Sequence, residues 1–141
     1  MPYVLAIDFG TSGCRSAIYD EKLQLLCVAS EEYPLIVHSE AEIEQDANVW
    51  WEKAKTTIKR VVADSCISSE EIRALSISSQ GIAFVPIDDR GNTLSNAISW
   101  LDTRATDETE EFRKNASEYM HEYYFHKRIV PEDSTKIWNL V

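Results

Sequence analysis

Apolar residues fall in short bursts early in the chain and take on a helical rhythm further along. Tyr3-Val4-Leu5-Ala6-Ile7 is an apolar run ending at Asp8, a pattern that predicts a strand buried on both faces. Residues 15–19 predict a second strand, 20–22 a turn and 24–30 a third strand, so closely spaced that they imply an antiparallel meander. The rhythm changes at Asp46, a good N-cap. Ala47, Trp50, Trp51, Ala54, Ile58, Val61 and Val62 recur at helical spacing and predict a helix over about 47–64, whose apolar face, both tryptophans included, covers the sheet. Residues 72–79 and 82–87 predict two more strands, 88–92 a hairpin turn, and 96–100 a further short strand. From Asp102 to about Tyr124, Phe112, Ala116 and Tyr119 are spaced like one helix face, and the acidic run 107–111 reads as its solvated side. Strands followed by covering helices indicate a mixed α/β layer.

No repeat, low-complexity tract or linker interrupts the chain, which reads as one continuous piece over residues 1–141. Pro131-Glu132-Asp133-Ser134-Thr135 opens like a helix. Ile137-Trp138-Asn139-Leu140-Val141 then breaks off in mid-pattern without a C-cap, so the chain reads as the first part of something longer.

Composition narrows the function. With 14 basic and 24 acidic residues the net charge is -10, which argues against a protein that works by neutralising nucleic-acid phosphates or lying on anionic lipid. No apolar run approaches the ~18 residues that span a bilayer, and Met1-Pro2-Tyr3-Val4 lacks the basic start of a secretory signal, so the expected compartment is the cytoplasm. Cys14, Cys27 and Cys66 are widely spaced and read as packing thiols. His38, His121 and His126 lack ligand spacing, so no histidine metal site is expected.

There are 4 glycines, where average usage gives roughly 10. Half of them sit in Asp8-Phe9-Gly10-Thr11-Ser12-Gly13-Cys14-Arg15, where a positive φ or a close backbone approach is needed. This loop joins two strands, unlike the Walker loop and the dinucleotide fingerprint, which lead into helices. Its small residues can aim backbone N–H groups at an anion as a nest, with the Thr11 and Ser12 hydroxyls as added donors. Asp8 suits Mg²⁺ held through water, and Arg15 suits phosphate oxygens. A plain hairpin turn in which Asp8 caps the backbone is the other reading of the same residues.

Three further segments follow in order: Glu44-Gln45-Asp46 with Trp50-Trp51, then Ser79-Gln80-Gly81, then Ala97-Ile98-Ser99-Trp100-Leu101-Asp102-Thr103-Arg104. With the glycine loop, this ordered set resembles the amino-terminal region of the FGGY carbohydrate kinases, the family of glycerol kinase, xylulokinase and gluconokinase. The resemblance runs from about Tyr3 to Arg104, with a weaker echo in Thr135-Lys136-Ile137-Trp138. It implies an actin-like, ribonuclease-H-like α/β domain forming one half of a two-domain sugar kinase. The complete enzyme would transfer the γ-phosphoryl of MgATP to a hydroxyl of a sugar or polyol.

By position, the resemblance places Asp8 near Mg²⁺, Gly10, Thr11, Ser12 and Gly13 at the β- and γ-phosphates of ATP, and Arg15 near the transferring phosphoryl group. Trp100, Asp102 and Arg104 match a W-x-D-x-R pattern near the sugar pocket, where an indole is an apolar floor and Asp and Arg bind hydroxyls. Asp102 and Arg104 opening and capping a helix, with Trp100 in the core, is the competing account. Gln80 and Gly81 are expected to bind substrate at the site edge, or to belong to a turn. Glu44-Gln45-Asp46 reads as structural, a helix start. After the Gln, glycerol kinases carry Arg-Glu and xylulokinases Met-His, where this chain has Gly81-Ile82, so the usual substrate labels do not transfer. Ala47 also stands where a Pro commonly opens the helix.

The family's catalytic Asp, second phosphate loop, adenosine site and signature segment are expected beyond Val141. The partner implied is therefore a C-terminal domain of the same polypeptide, and residues 1–141 alone are expected to be inactive. An incomplete domain also exposes apolar surface that could pair as a homodimer. Two other function classes fit part of the pattern: an ATP-binding switch of the actin or heat-shock chaperone type, and a truncated, non-catalytic sugar-binding relative.

Overall fold

The computed structural model describes residues 2–115. They divide into two compact units, one of residues up to 35 with 46–81, the other of 36–45 with those from 82 onward.

The first unit is a four-stranded sheet covered by one long helix. Strands β1 (Tyr3–Phe9), β2 (Gly13–Tyr19) and β3 (Leu25–Glu32) form the expected antiparallel meander. Strand β6 (Ile72–Ser79) returns parallel to β1, giving the order β3-β2-β1-β6. The turn between β2 and β3 is closed by Asp20, whose carboxylate accepts the N–H groups of Lys22 and Gln24. Helix α1 (Ala47–Ser65) starts where the sequence indicates: the Asp46 side chain accepts the Asn48 N–H. It ends at Cys66, held in the left-handed region at φ 57°. Cys66 is exposed and serves as a C-cap, so it is not a packing thiol, whereas Cys14 is buried.

Helix α1 lies on β2 and β3 and buries Ala54, Thr57 and Val61 against Leu5, Ile7, Ile18 and Ala29. Each large apolar side chain buried this way contributes roughly 1.5–3 kcal/mol. Two polar ties fix the helix to the sheet. The buried Ser16 and Thr57 hydroxyls meet at 2.8 Å, and Glu31 on β3 accepts Lys53 at 3.0 Å and also binds Arg60. Trp50 packs at the margin of the core, but Trp51 is 59% exposed, with Lys55 Nζ 5.7 Å from its ring centroid. The two neighbours differ by 100° around the helix, so only one can face the sheet. Strand β1 is likewise buried on one face only: Leu5 and Ile7 point under the helix while Asp8 is exposed.

In the second unit β4 (Ile36–Val37), β5 (Ile43–Gln45) and β7 (Ala97–Ile98) make a small antiparallel sheet in the order β4-β5-β7. The strand expected over 82–87 does not form. Ile82 has φ 55°, Pro86 has no N–H to give a ladder, and the segment keeps two isolated bridges, Phe84 to Ile98 and Ile87 to Thr93. The turn over 88–92 is present: Asp88 accepts the N–H groups of Arg90 and Asn92, and Gly91 takes φ 82°. Helix α2 (Thr106–Asn115) starts four residues later than the sequence pattern indicates, because Asp102 is drawn into the turn before it. Its acidic residues Asp107, Glu108, Glu110 and Glu111 are exposed. The expected continuation to Tyr124 and the segment 131–141 lie outside the described residues.

Candidate functional site

Two groups of candidate residues assemble, one in each unit. In the first, β1 and β6 are parallel neighbours, so Phe9 and Ser79 end at the same edge of the sheet, where ligands of open α/β sheets bind. The glycine loop leaves one strand end and Gln80-Gly81 the other. The Gln80 N–H donates to the Phe9 carbonyl at 2.6 Å, which locks the two together. Just inside this edge a polar row crosses the sheet on the face opposite α1. Asp8 is in register with Arg15 on β2 and Ser78 on β6, and Arg15 with Ser30 on β3, all of them exposed. Asp8, Gly10, Thr11, Ser12, Gly13, Arg15, Gln80 and Gly81 are therefore brought to one end of one sheet.

The glycines of the loop are explained by close approach. Neither has a positive φ; the left-handed residues among those described are Leu23, Cys66, Ile82 and Gly91. A Cβ on Gly13 would stand 2.6 Å from the Glu31 carbonyl oxygen, and one on Gly10 3.3 Å from that of Gly13. The loop is thus a tight hairpin rather than a nest alternating right- and left-handed residues, and the Gly10 N–H is used inside it, on the Gly13 carbonyl at 2.9 Å. Around Gly81 there is open space: nothing lies within 4 Å of a Cβ placed there.

The second group gathers around a buried carboxylate. Asp102 is 0% exposed. It accepts the Ile43 N–H at 2.8 Å, the Arg104 N–H at 3.0 Å, and the Arg104 guanidinium through Nε and through Nη2 at 2.7 Å. Burial pushes this carboxyl up, but the Arg104 and Ile43 donors outweigh it and hold it below the usual carboxylate range. Arg104 then reaches Glu44 at 2.9 Å and Glu42 at 3.3 Å, and its own pKa is raised, chiefly by Asp102. Glu44 is completed by Asn96 at 3.0 Å and His38 at 3.3 Å; Asn96 above all, with Arg104 and His38, lowers its pKa against the effect of burial. Asp102 thus joins β5 to the turn that carries half-buried Trp100, and does not cap α2.

The sequence reading missed Glu42 and Glu44 as members of this cluster. Their alternation about Ile43 places both on one side of β5, and that period of two was the available signal. The donor atoms of His38, Glu42 and Glu44 lie within 4.8 Å of one another. The Arg104 guanidinium bridges the two carboxylates, so the cluster is an ion-pair network with its cation already built in.

Solved structures with this fold include the ligand-bound xylulose kinase of Lactobacillus acidophilus, at TM-score 0.74 and 23% identity over 82% of this chain and 23% of that one. The glycerol kinase of Plasmodium falciparum with ADP follows at TM-score 0.73 and 21% identity, over 83% of this chain and 24% of that one. The mixed sheet, its glycine hairpin and the covering helix form part of the actin-like fold of these kinases. Residues 3–131 match the N-terminal domain of the FGGY family of carbohydrate kinases, and the chain belongs to that family. It is 37% identical to the glycerol kinase of Acinetobacter baylyi over 106 residues, 74% of this chain but 21% of that protein. The chain thus spans between a fifth and a quarter of the length of the curated relatives it matches.

Proposed function

We propose that this chain is the phosphate- and sugar-facing portion of an ATP-dependent carbohydrate kinase, which moves the γ-phosphoryl of MgATP to a hydroxyl of a sugar or polyol. The observation that supports it most is the convergence of Asp8, the glycine hairpin, Arg15 and Gln80 at the carboxyl ends of two adjacent parallel strands. Phosphoryl transfer asks little covalent chemistry of a protein. It needs positioning and neutralisation of charge on the phosphate oxygens.

In this reading Gly10, Thr11, Ser12 and Gly13 face the β- and γ-phosphates, with the two hydroxyls as donors. Arg15, exposed beside Asp8 in the register, neutralises the phosphoryl oxygens in flight. One exposed carboxylate followed by two hydroxyls is a hard-oxygen donor set that fits a largely hydrated Mg²⁺, with Asp8 as its holder. Bound there, Mg²⁺ supplies charge stabilisation to the phosphates. Gln80 and Gly81 bind substrate at the edge of the site. Trp100 gives the sugar's C–H surface an apolar floor, Arg104 offers its hydroxyls a donor, and Asp102 holds Arg104 and the Trp100 turn in place. The base that accepts the substrate proton comes from the remainder of the polypeptide.

Ligand-induced thermal stabilisation of the full-length protein tests this. MgATP and, separately, one or more members of a panel of pentoses, hexoses, polyols and aldonates are expected to raise its Tm, each by the equivalent of about 2.7 kcal/mol at a hundredfold excess over Kd. Stabilisation by MgATP with no response to any sugar would point instead to an ATP-driven switch.

A further inference from the structure

Tyr33 lies just beyond β3, outside the sequence motifs of the candidate site. It is 5% exposed and packs in the core of the first unit. It touches the glycine hairpin at two points: its hydroxyl donates to the Gly10 carbonyl at 2.5 Å, and its own N–H donates to the Ser12 carbonyl at 3.1 Å. Burial, with Cys14 and Asp8 nearby, pushes the phenol up to about 12, so it stays a donor throughout the working pH range.

The second of these bonds follows from register. β2 and β3 pair Gly13 with Glu32, so the next pair along is Ser12 with Tyr33. The first is a side-chain bond with 23 residues between its partners, and it reaches the middle of the turn. We propose that Tyr33 is a positioning residue for nucleotide phosphate, holding the glycine hairpin in one shape through its Gly10 and Ser12 carbonyls; this rests on reading the hairpin as a phosphate loop. A lone β-turn of small residues would sample several peptide orientations and lose affinity by the fraction of time spent in the wrong ones.

Tyr33→Phe removes the hydroxyl and keeps the ring and the backbone N–H. In the full-length protein it is expected to weaken MgATP binding about 3- to 10-fold, the size of one neutral hydrogen bond. Affinity for the best sugar of the panel should be unchanged, a split that a general loss of packing would not give. Amide hydrogen exchange at residues 10–13 is expected to speed up, while exchange in α1 stays as in the unsubstituted protein. Equal loss of nucleotide and sugar affinity, or unchanged exchange in the hairpin, overturns the proposal, as does faster hairpin exchange with MgATP affinity intact. If the unsubstituted protein does not bind MgATP, the phosphate-loop reading itself fails and the role of Tyr33 in binding fails with it. That case is told apart because it appears before any substitution is made.

Discussion

Gly13→Val is expected to be among the most damaging single substitutions in the first unit, lowering stability by about 2–3 kcal/mol and abolishing nucleotide binding. The new Cβ would meet the Glu31 carbonyl oxygen at 2.6 Å and the Glu32 Cα at 3.3 Å. Both are backbone atoms of β3, so no rotamer change relieves the clash. The strands must separate where β2 begins, which also breaks the bond from Tyr33 to Ser12. The other glycines set a scale for the measurement. Gly10→Ala, with its Cβ 3.3 Å from one carbonyl, requires a shift of a few tenths of an ångström and should cost roughly 1 kcal/mol. Gly81→Ala enters open space at an ordinary φ and should be neutral within ~0.5 kcal/mol. Urea midpoints in that order support the account, and a Gly13→Val protein as stable as Gly81→Ala contradicts it.

Asp102→Asn should do comparable harm in the second unit. The amide can still accept the Ile43 N–H, but its NH₂ then replaces the oxygen that accepts the Arg104 N–H and Nε, donor against donor, in a site where Asp102 is 0% exposed. Breaking a fully buried pair costs about 3–5 kcal/mol; because the Arg104 side chain is 34% exposed, about 2 kcal/mol is expected here. The pH dependence has a definite sign. Asp102 is held below its ordinary 3.8, so its contribution is fully present above that value and is lost as the pH falls through the lower folded pKa. The stability gap between the native protein and Asp102→Asn should therefore be wide at pH 7 and close below pH ~3.8. A gap that widens with acid would show that the carboxylate is not held by Arg104.

How far the sequence reached is visible in particular residues. The meander and α1 were legible because their signals are local: an apolar run, Asp20 at a turn, and Asp46 before a 3.6-residue rhythm. The parallel return of β6 beside β1, which brings Gln80 to the glycine hairpin, depends on pairing across some 70 residues and leaves no local trace. Residues 82–87 carry strand-like side chains, but Pro86 and the left-handed Ile82 prevent a ladder. Trp51 looked like core because helical spacing defines a stripe without fixing its width. The motif residues of the candidate site could be named, but their division of labour could not. Asp102 proves to be a buried anchor, Glu42 and Glu44 enter through Arg104 some 60 positions away, and Tyr33 is found only through the hairpin register.

In the proposed function the hairpin and Arg15 serve phosphoryl transfer to a sugar. The direct measurement is ATP-dependent phosphorylation of the same panel by the full-length protein, its Arg15→Ala variant, and residues 1–141 alone. The expected result is turnover of at least one sugar or polyol at about 1–100 per second, a loss on the order of 100-fold in Arg15→Ala, and no turnover from the isolated segment. Absence of transfer to every member of the panel, or an Arg15→Ala enzyme as fast as the native one, would contradict it.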